Sequence, residues 1–326
     1  MKVRGVALIW FAAAVSACDA PTEPASDRGP QQSATAYLET VLSIAEEHSI
    51  RRHQTDWTAV RRETWLRAEG ALNAEDTHAA VRFLLAALGD GHSAFIPASG
   101  RVTGAPDSRV EARRVRRRVG VVRITGGFAG GGTREANGIQ RAIAGVDGPG
   151  ICGWVVDLRR DSGGDLWPQL AGLGSILGEG VAGAFVDADG HARPWIFEDG
   201  GAGLLGEAPI VRTFPYELQD PSAHVAVLVG RGTASSGEAV ATAFKGAPGV
   251  RSFGAPTRGL STANRGFFLS DGSLLVLTVA GLEDRHGVAI TGPLLPDVTV
   301  PDGLGDPVLD RAVAWIGTHG NCRLGR

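Results

Sequence analysis

The segment Val155-Val156-Asp157-Leu158-Arg159-Arg160-Asp161-Ser162-Gly163-Gly164 leaves an apolar run, turns polar and closes on two glycines before an amphipathic stretch from Leu166 to Leu177. A short apolar run bounded by turn residues reads as a strand buried on both faces, and the stretch beyond it is long enough for a helix. The same texture recurs on either side. Val121 to Ile124, Gly153 to Leu158, Val225 to Val229, Val250 to Phe253 and Leu274 to Val279 are strand candidates. Glu135 to Ala144, Leu166 to Leu177 and Ser236 to Phe244 are helix candidates between them. Such alternation predicts a βαβ core with a largely parallel sheet, hence a mixed α/β fold. Further upstream, from Thr35 to Leu88, Gly and Pro are nearly absent and Tyr37, Val41, Leu42, Ile44 and Ala45 share one helical face. The expected organisation is a small N-terminal helical domain at 35–96, a connector at 97–119, an α/β domain at 120–317 and a tail at 318–326.

Residues 1–18 read as an export signal: Lys2 and Arg4 precede an apolar run, Val6 to Val15, that is too short to span a bilayer. Val15-Ser16-Ala17-Cys18 resembles the lipobox of bacterial lipoproteins, which makes Cys18 the expected lipidation site and the membrane an expected partner through that anchor. An ordinary cleaved signal with an incidental cysteine is the alternative. Residues 19–34, rich in Pro, Ser, Gln, Asp and Glu, read as a flexible tether.

With 32 basic against 35 acidic residues and a net charge of -3, the composition argues against a nucleic-acid partner. The run Arg113, Arg114, Arg116, Arg117, Arg118 is isolated and lacks interleaved aromatics, so it reads as a solvated strand or connector. His53, His78, His92, His191 and His286 form no ligand-spaced cluster; no metal and no cofactor are expected. Cys152 and Cys322 either pair, tying the tail to the core, or remain two buried thiols.

Three glycine-punctuated segments carry candidate chemistry. Gly89-Asp90-Gly91-His92-Ser93 follows an apolar helix, and its glycines permit a sharp turn that presents an imidazole as a general base. Gly163-Gly164 ends a strand where exposed N–H groups can point at a developing oxyanion, although paired glycines also serve a simple tight turn. Gly232-Thr233-Ala234-Ser235-Ser236-Gly237-Glu238 follows the strand Val225 to Val229 and opens a helix, placing a serine at the carboxyl end of a strand near a positive helix end. Taken alone, Ser235 or Ser236 is equally an N-cap with Glu238 as its capping-box partner.

In their order along the chain, these segments resemble the family of tail-specific (C-terminal processing) serine peptidases, which includes the tricorn core protease and the repeats of interphotoreceptor retinoid-binding protein. Asp90-Gly91-His92-Ser93 is similar to the family's histidine turn, Asp157-Leu158-Arg159 through Gly163-Gly164 to its strand and Gly-Gly turn, and Thr233 to Glu238 to its nucleophile turn. Gly254-Ala255-Pro256-Thr257-Arg258-Gly259, Leu269-Ser270-Asp271-Gly272-Ser273 and Gly292-Pro293-Leu294-Leu295-Pro296-Asp297-Val298 follow the family pattern downstream. The resemblance covers roughly Thr35 to Pro301 and implies a crotonase-like βαβ core acting on a peptide or protein substrate.

It further implies Ser235 as nucleophile, with the N–H groups of Ser236 and of Gly163 or Gly164 as the oxyanion hole. The tail-specific branch uses a lysine base where this chain has Leu260, and Lys245 sits in the middle of the helix after Ser235, so neither supplies the base. The tricorn-like branch uses an upstream histidine, which His92 matches, and a distant acid, for which Glu283 is expected with Asp284 and Glu238 as rivals. The serine that supports the histidine in that branch falls at Gly91 here, so it is missing or replaced by Ser93. About 27 residues separate His92 from Gly120, too few for the PDZ domain of many relatives, so substrate recognition falls to the cleft or the helical domain. Two rivals remain. An α/β-hydrolase esterase wants a glycine where Thr233 stands and a histidine after the serine. A non-catalytic protein binding apolar ligands or peptides is the other.

Overall fold

A computed structural model describes residues 33–100, 109–127, 132–301, 303–319 and 322. The expected export signal and Cys18 lie outside the described residues. Among the described residues no helix is long and apolar enough to cross a membrane. The chain divides into two compact units, Met1–Arg101 with Asn264–Val279, and Val102–Ala263 with Ala280–Arg326.

The first unit is built on three helices. Ser33 caps α1 (Ala34–His48) by accepting the Ala36 N–H, and Asp56 caps α2 (Trp57–Arg67) by accepting that of Ala59. The third helix, α3 (His78–Leu88), buries Ala80, Val81, Leu84, Leu85 and Leu88 and stops at Gly89, whose φ of 66° suits a left-handed cap. Strand β1 (Ala94–Ile96) follows and pairs antiparallel with residues 274–276 in the register Phe95↔Leu275. The Leu269–Ser273 segment has a structural task in this unit: the Asp271 carboxylate accepts the Ser273 N–H and hydroxyl and the Tyr37 hydroxyl, and lies 2.9 Å from His78 Nε2.

The remaining elements, in chain order, are β2 (Arg109–Val115), β3 (Val119–Thr125), α4 (Gly132–Val146), β4 (Gly153–Arg160), α5 (Leu166–Leu177), β5 (Gly180–Asp187), β6 (Ala192–Glu198), β7 (Gly201–Leu204), β8 (Val211–Arg212), β9 (His224–Val229), α6 (Ser236–Phe244), β10 (Val250–Gly254), β11 (Thr262–Phe268), β12 (Leu274–Asp284), β13 (Ala289–Ile290), β14 (Val298–Thr299) and α7 (Pro307–His319). Of these, β11 from Asn264 and β12 as far as Val279 belong to the first unit and the rest to the second. The sheet that positions the site runs β14-β10-β9-β4-β3-β2. Its pairs are parallel except the β2–β3 hairpin, so the predicted parallel βαβ core is present. The arginine run forms that hairpin and its turn, where Arg116 and Arg117 take positive φ.

The strand candidate Leu274–Val279 opens β12, which pairs antiparallel with β5 and so stands outside the parallel sheet, and the antiparallel strands β5–β8 have no counterpart among the candidates read from the sequence. β5 and β7 carry glycines, which read locally as turn. Gly183 answers a tertiary demand instead: a Cβ there would sit 2.8 Å from the Trp195 ring, which stacks on Phe185 at 5.3 Å between centroids.

One face of the parallel sheet is sealed by α7. Val308, Leu309, Ala312, Val313 and Ile316 pack against Val119, Val121, Val155, Ala226, Leu228 and Phe253. Cys152 and Cys322 join the same cluster and are disulfide-bonded, with Cα atoms 5.3 Å apart and a sequence separation of 170. The open question of their pairing is thereby answered. By the chain-entropy account, a loop of this size restricts the unfolded chain by roughly 5 kcal/mol, against about 2–5 kcal/mol for removal of a typical native disulfide. Reduction, or Cys152→Ala with Cys322→Ala, is therefore expected to lower the melting temperature by several degrees. Calorimetry after thiol titration confirms full reduction checks this, and an unchanged melting temperature would refute it.

Candidate active site

Ser235 stands between β9 and α6, within Gly230 to Gly237. Its φ of 54° and ψ of −121° match the first central position of a type II′ turn, and the Gly237 N–H closes that turn on Ala234 O at 2.9 Å. Glycine is the usual residue there; a serine costs on the order of 1–3 kcal/mol, and such strain persists where neighbouring structure enforces it. Ser236 plays a different part, because its hydroxyl donates to the Gly164 carbonyl. The two serines, interchangeable on sequence, are thus separated: one holds the strained corner and the other latches it to the Gly163-Gly164 turn.

The two turns meet backbone to backbone. Thr233 Oγ1 donates to Leu158 O at 2.8 Å and the Ala234 N–H to Asp161 O at 2.9 Å. A Cβ on Gly163 would fall 2.7 Å from Ser235 Cβ, one on Gly232 2.4 Å from Arg159 O, and one on Gly237 2.4 Å from Asp161 O. Gly163 and Gly164 also take φ values of 103° and 120°, closed to most L side chains. The glycines in both motifs are accordingly requirements of close approach and of backbone conformation.

The Gly163 N–H, one of the two expected oxyanion donors, already donates to Asp161 Oδ1 at 3.0 Å. Asp161 is fully buried, and desolvation raises its carboxyl to about 7, opposed by that amide bond. Below the motif's turn, Asp157 accepts from Arg123 and Arg159, and Arg159 forks onto Asp306 with bonds of 2.7 and 2.8 Å. Asp306 in turn accepts the Leu309 N–H at the start of α7. The Asp-Leu-Arg part of the motif is therefore a strut between β4 and α7.

Glu238, on the first turn of α6, is fully buried. Its Oε2 accepts the Ser235 N–H at 3.1 Å; its Oε1 accepts the Thr257 hydroxyl and the Gly259 N–H at 2.8 Å and lies 3.2 Å from Ser261 Oγ. Thr257 Oγ1 accepts the Leu294 N–H, Ser261 Oγ donates to Gly292 O, and the Arg258 N–H donates to Thr233 O. Two of the ordered motifs, 254–259 directly and 292–298 by way of Thr257 and Ser261, thus converge on the nucleophile turn through one carboxyl group. The Ser235–Glu238 spacing is visible in the sequence, and Thr257, Gly259 and Asp161 lie within its motifs, but the roles of these three and of Ser261 are not, because each depends on a partner brought up by the fold.

The histidine turn belongs to the first unit. Asp90 Oδ1 accepts the N–H groups of His92 and Ser93 at 2.8 and 2.7 Å, while Oδ2 accepts the Ser93 hydroxyl. Ser93 Oγ also accepts the Thr278 N–H, and Asn264 Nδ2 donates to His92 O at 3.1 Å. Ser93 therefore builds the turn that carries His92, and its hydroxyl is occupied by Asp90 and Thr278. Burial lowers the His92 imidazole below the ordinary histidine value, with Asp90 opposing.

Other expectations are relocated. Lys245 is not in the middle of its helix: it is the exposed C-cap of α6, and nine helical residues, about 13 Å of rise, separate it from the Ser235 end. Glu283 is half-buried on β12, paired in register with Ala184 and Ala289, with Oε2 4.0 Å from where a Gly287 Cβ would sit. Asp284 is taken up by the β12–β13 turn, accepting the His286 and Val288 N–H groups. Arg285 donates to Ala243 O and His286 Nε2 lies 3.2 Å from Gly246 O, so basic side chains meet the C-terminal end of α6.

The sequence profile of peptidase family S41 matches residues 118–300. The nisin-resistance protein of Lactococcus lactis subsp. lactis is 32% identical over 165 residues, which is 50% of this chain and 49% of that protein. The chain thus spans about half the length of this curated relative. Among solved structures, a lipoprotein from Streptococcus agalactiae superposes with a TM-score of 0.73 at 22% identity, covering 92% of this chain and 99% of that one. The photosystem II D1 C-terminal processing protease superposes with a TM-score of 0.61 at 17% identity, covering 90% and 100%. These two likenesses are of fold. The profile takes in the parallel strands β3, β4, β9, β10 and β14, the Gly-Gly turn, the strained serine and the loops that converge on Glu238, and the chain belongs to peptidase family S41.

Proposed function

We propose that this chain is a serine peptidase that cleaves peptide bonds of peptides or proteins through an acyl-enzyme on Ser235. The observation that carries the reading is the serine held at the corner of a type II′ turn, against two glycines and at the start of a helix. In the proposed reaction His92 takes the proton from Ser235 Oγ as that oxygen attacks the amide carbonyl. The N–H groups of Ser236 and of the Gly163-Gly164 turn receive the oxyanion, with Gly164 favoured because the Gly163 N–H is committed to Asp161. The tetrahedral intermediate then collapses, the leaving amine takes the proton from His92, and water activated by the same imidazole releases the acyl group. Glu283 is proposed as the acid that orients His92. No metal or cofactor enters this scheme.

Similarity to a nisin-resistance protein and to a streptococcal lipoprotein supports an exported enzyme of the cell envelope. The disulfide fits an oxidising compartment, and Cys18 is the proposed lipid anchor. Reaction with a fluorophosphonate probe, followed by peptide mapping, is expected to place the adduct on Ser235. An adduct elsewhere, or none on a folded protein, would reject the nucleophile.

The His92 environment makes a separate prediction. Because its folded pKa is lowered, the neutral, proton-accepting form persists to lower pH than for a free histidine. The acid limb of kcat/KM for a peptide substrate is therefore expected below pH 6.5. An acid limb at or above that value, or one surviving in His92→Ala, would remove His92 as base.

A further inference from the structure

The Gly163-Gly164 turn poses a mechanical problem. Two consecutive glycines at φ 103° and 120° have no side chains to hold them, and glycine loses more conformational freedom on ordering than any other residue. An oxyanion donor is useful only if its direction is set before the charge develops. Something outside the glycines must therefore hold the turn.

We propose that Asp161 is the positioning residue of the oxyanion turn, its buried carboxyl pinning the Gly163 amide and so fixing the near side of the turn, while the Gly127 N–H holds the carbonyl of the next peptide, which presents the Gly164 N–H, at 3.0 Å. This rests on the reading of Ser235 as nucleophile. Asp161 is attached on every side that matters to this task. Its side chain accepts the Gly163 N–H at 3.0 Å, and its own N–H donates to Leu158 O at 2.9 Å, within β4. Its carbonyl accepts the N–H of Ala234, the residue before the strained serine, at 2.9 Å. A Cβ on Gly237 would meet its Cγ at 2.9 Å and its Cβ at 3.1 Å, so the start of α6 is packed onto the same side chain. One residue thus ties the oxyanion turn to the nucleophile turn.

The chemistry of the group argues that this attachment is functional. Asp161 Oδ2 is buried and has no hydrogen-bond partner among the described residues. Burial also raises the carboxyl to about 7, well above the ordinary carboxylate range. A group so placed lowers stability, and such local costs collect at functional sites.

The test compares D161N, which keeps a carbonyl acceptor beside Gly163, with D161L, which fills similar space without one. D161N is expected to hold kcat within about 3-fold of wild type, and D161L to lose roughly 10- to 100-fold in kcat with KM within about 3-fold. Amide exchange at Gly163, read by NMR, is expected to accelerate at least about 10-fold in D161L and to stay slow in D161N. Should D161L not fold, D161A supplies the same comparison. Normal kcat without the acceptor, equal loss in D161N, or unchanged Gly163 exchange in D161L or D161A would each overturn the proposal. Amide exchange needs no catalysis: if Ser235→Ala leaves turnover intact, the nucleophile reading fails, while Gly163 exchange still judges the tie to Asp161.

Discussion

Ser235→Ala is expected to abolish fluorophosphonate labelling and to lower kcat on a peptide substrate by roughly 10⁴- to 10⁶-fold, leaving only what binding and the oxyanion donors supply. The substitution is clean because alanine keeps the Cβ that lies against Gly163 and meets the same backbone strain that serine already bears. The Ser235 N–H to Glu238 bond also survives, since it belongs to the main chain. The melting temperature should therefore stay within a few degrees of wild type. Ser236→Ala is the contrasting variant: it loses the hydroxyl that latches onto Gly164 O, yet labelling should persist. Labelling lost in Ser236→Ala and kept in Ser235→Ala would reverse the assignment of the two serines.

Glu238→Gln is expected to lower kcat by roughly 10- to 100-fold in a protein that remains folded. The carboxyl group accepts from donors on two sides, with the Thr257 hydroxyl and the Gly259 N–H on Oε1 and the Ser235 N–H on Oε2. Glutamine has one oxygen. If that oxygen stays with Thr257 and Gly259, its NH₂ faces the Ser235 N–H donor to donor, and a buried donor left without an acceptor costs about 1–3 kcal/mol. The loss falls on the residue held at φ 54°, so the corner relaxes and the hydroxyl loses its aim. Each 1.36 kcal/mol lost from the transition state is tenfold in rate, which sets the expected range. Steady-state kinetics beside thermal unfolding decide the matter. A kcat within about 2-fold of wild type would show that Glu238 does not hold the nucleophile turn.

The predicted helical region and parallel βαβ core were legible because both rest on local periodicity. The apolar runs that became β3, β4 and β9 are buried on both sides, and α1 and α3 present an apolar face at helical spacing. The serine, the histidine turn and the Gly-Gly turn were legible for another reason: glycines at fixed offsets mark backbone that must turn sharply or approach closely, a demand written into the sequence itself.

Residues whose tasks depend on distant partners were not legible in this way. Asp157 and Arg159 looked like part of a signature, yet they form a strut to Asp306, 147 residues beyond Arg159. Glu238 acquires its Thr257 and Gly259 donors 19 and 21 residues away, and nothing in those residue types announces a partner. Strands β5 and β7 were hidden because Gly183 answers to Trp195 across the strand pair, and Gly201 and Gly203 to Pro209, rather than to local turn chemistry. The pairing of Cys152 with Cys322 likewise waited on α7 bringing the tail to the sheet.

The class of fold, the family motifs and the reactive serine candidates can be read along the chain, since periodicity and glycine placement act over a few residues. Which serine bears the strain, which acid holds it and which amide of the Gly-Gly turn is already engaged are settled by the folded arrangement. Those facts are hydrogen bonds and close contacts between segments far apart in the chain, and they come into being only when the two turns are pressed together.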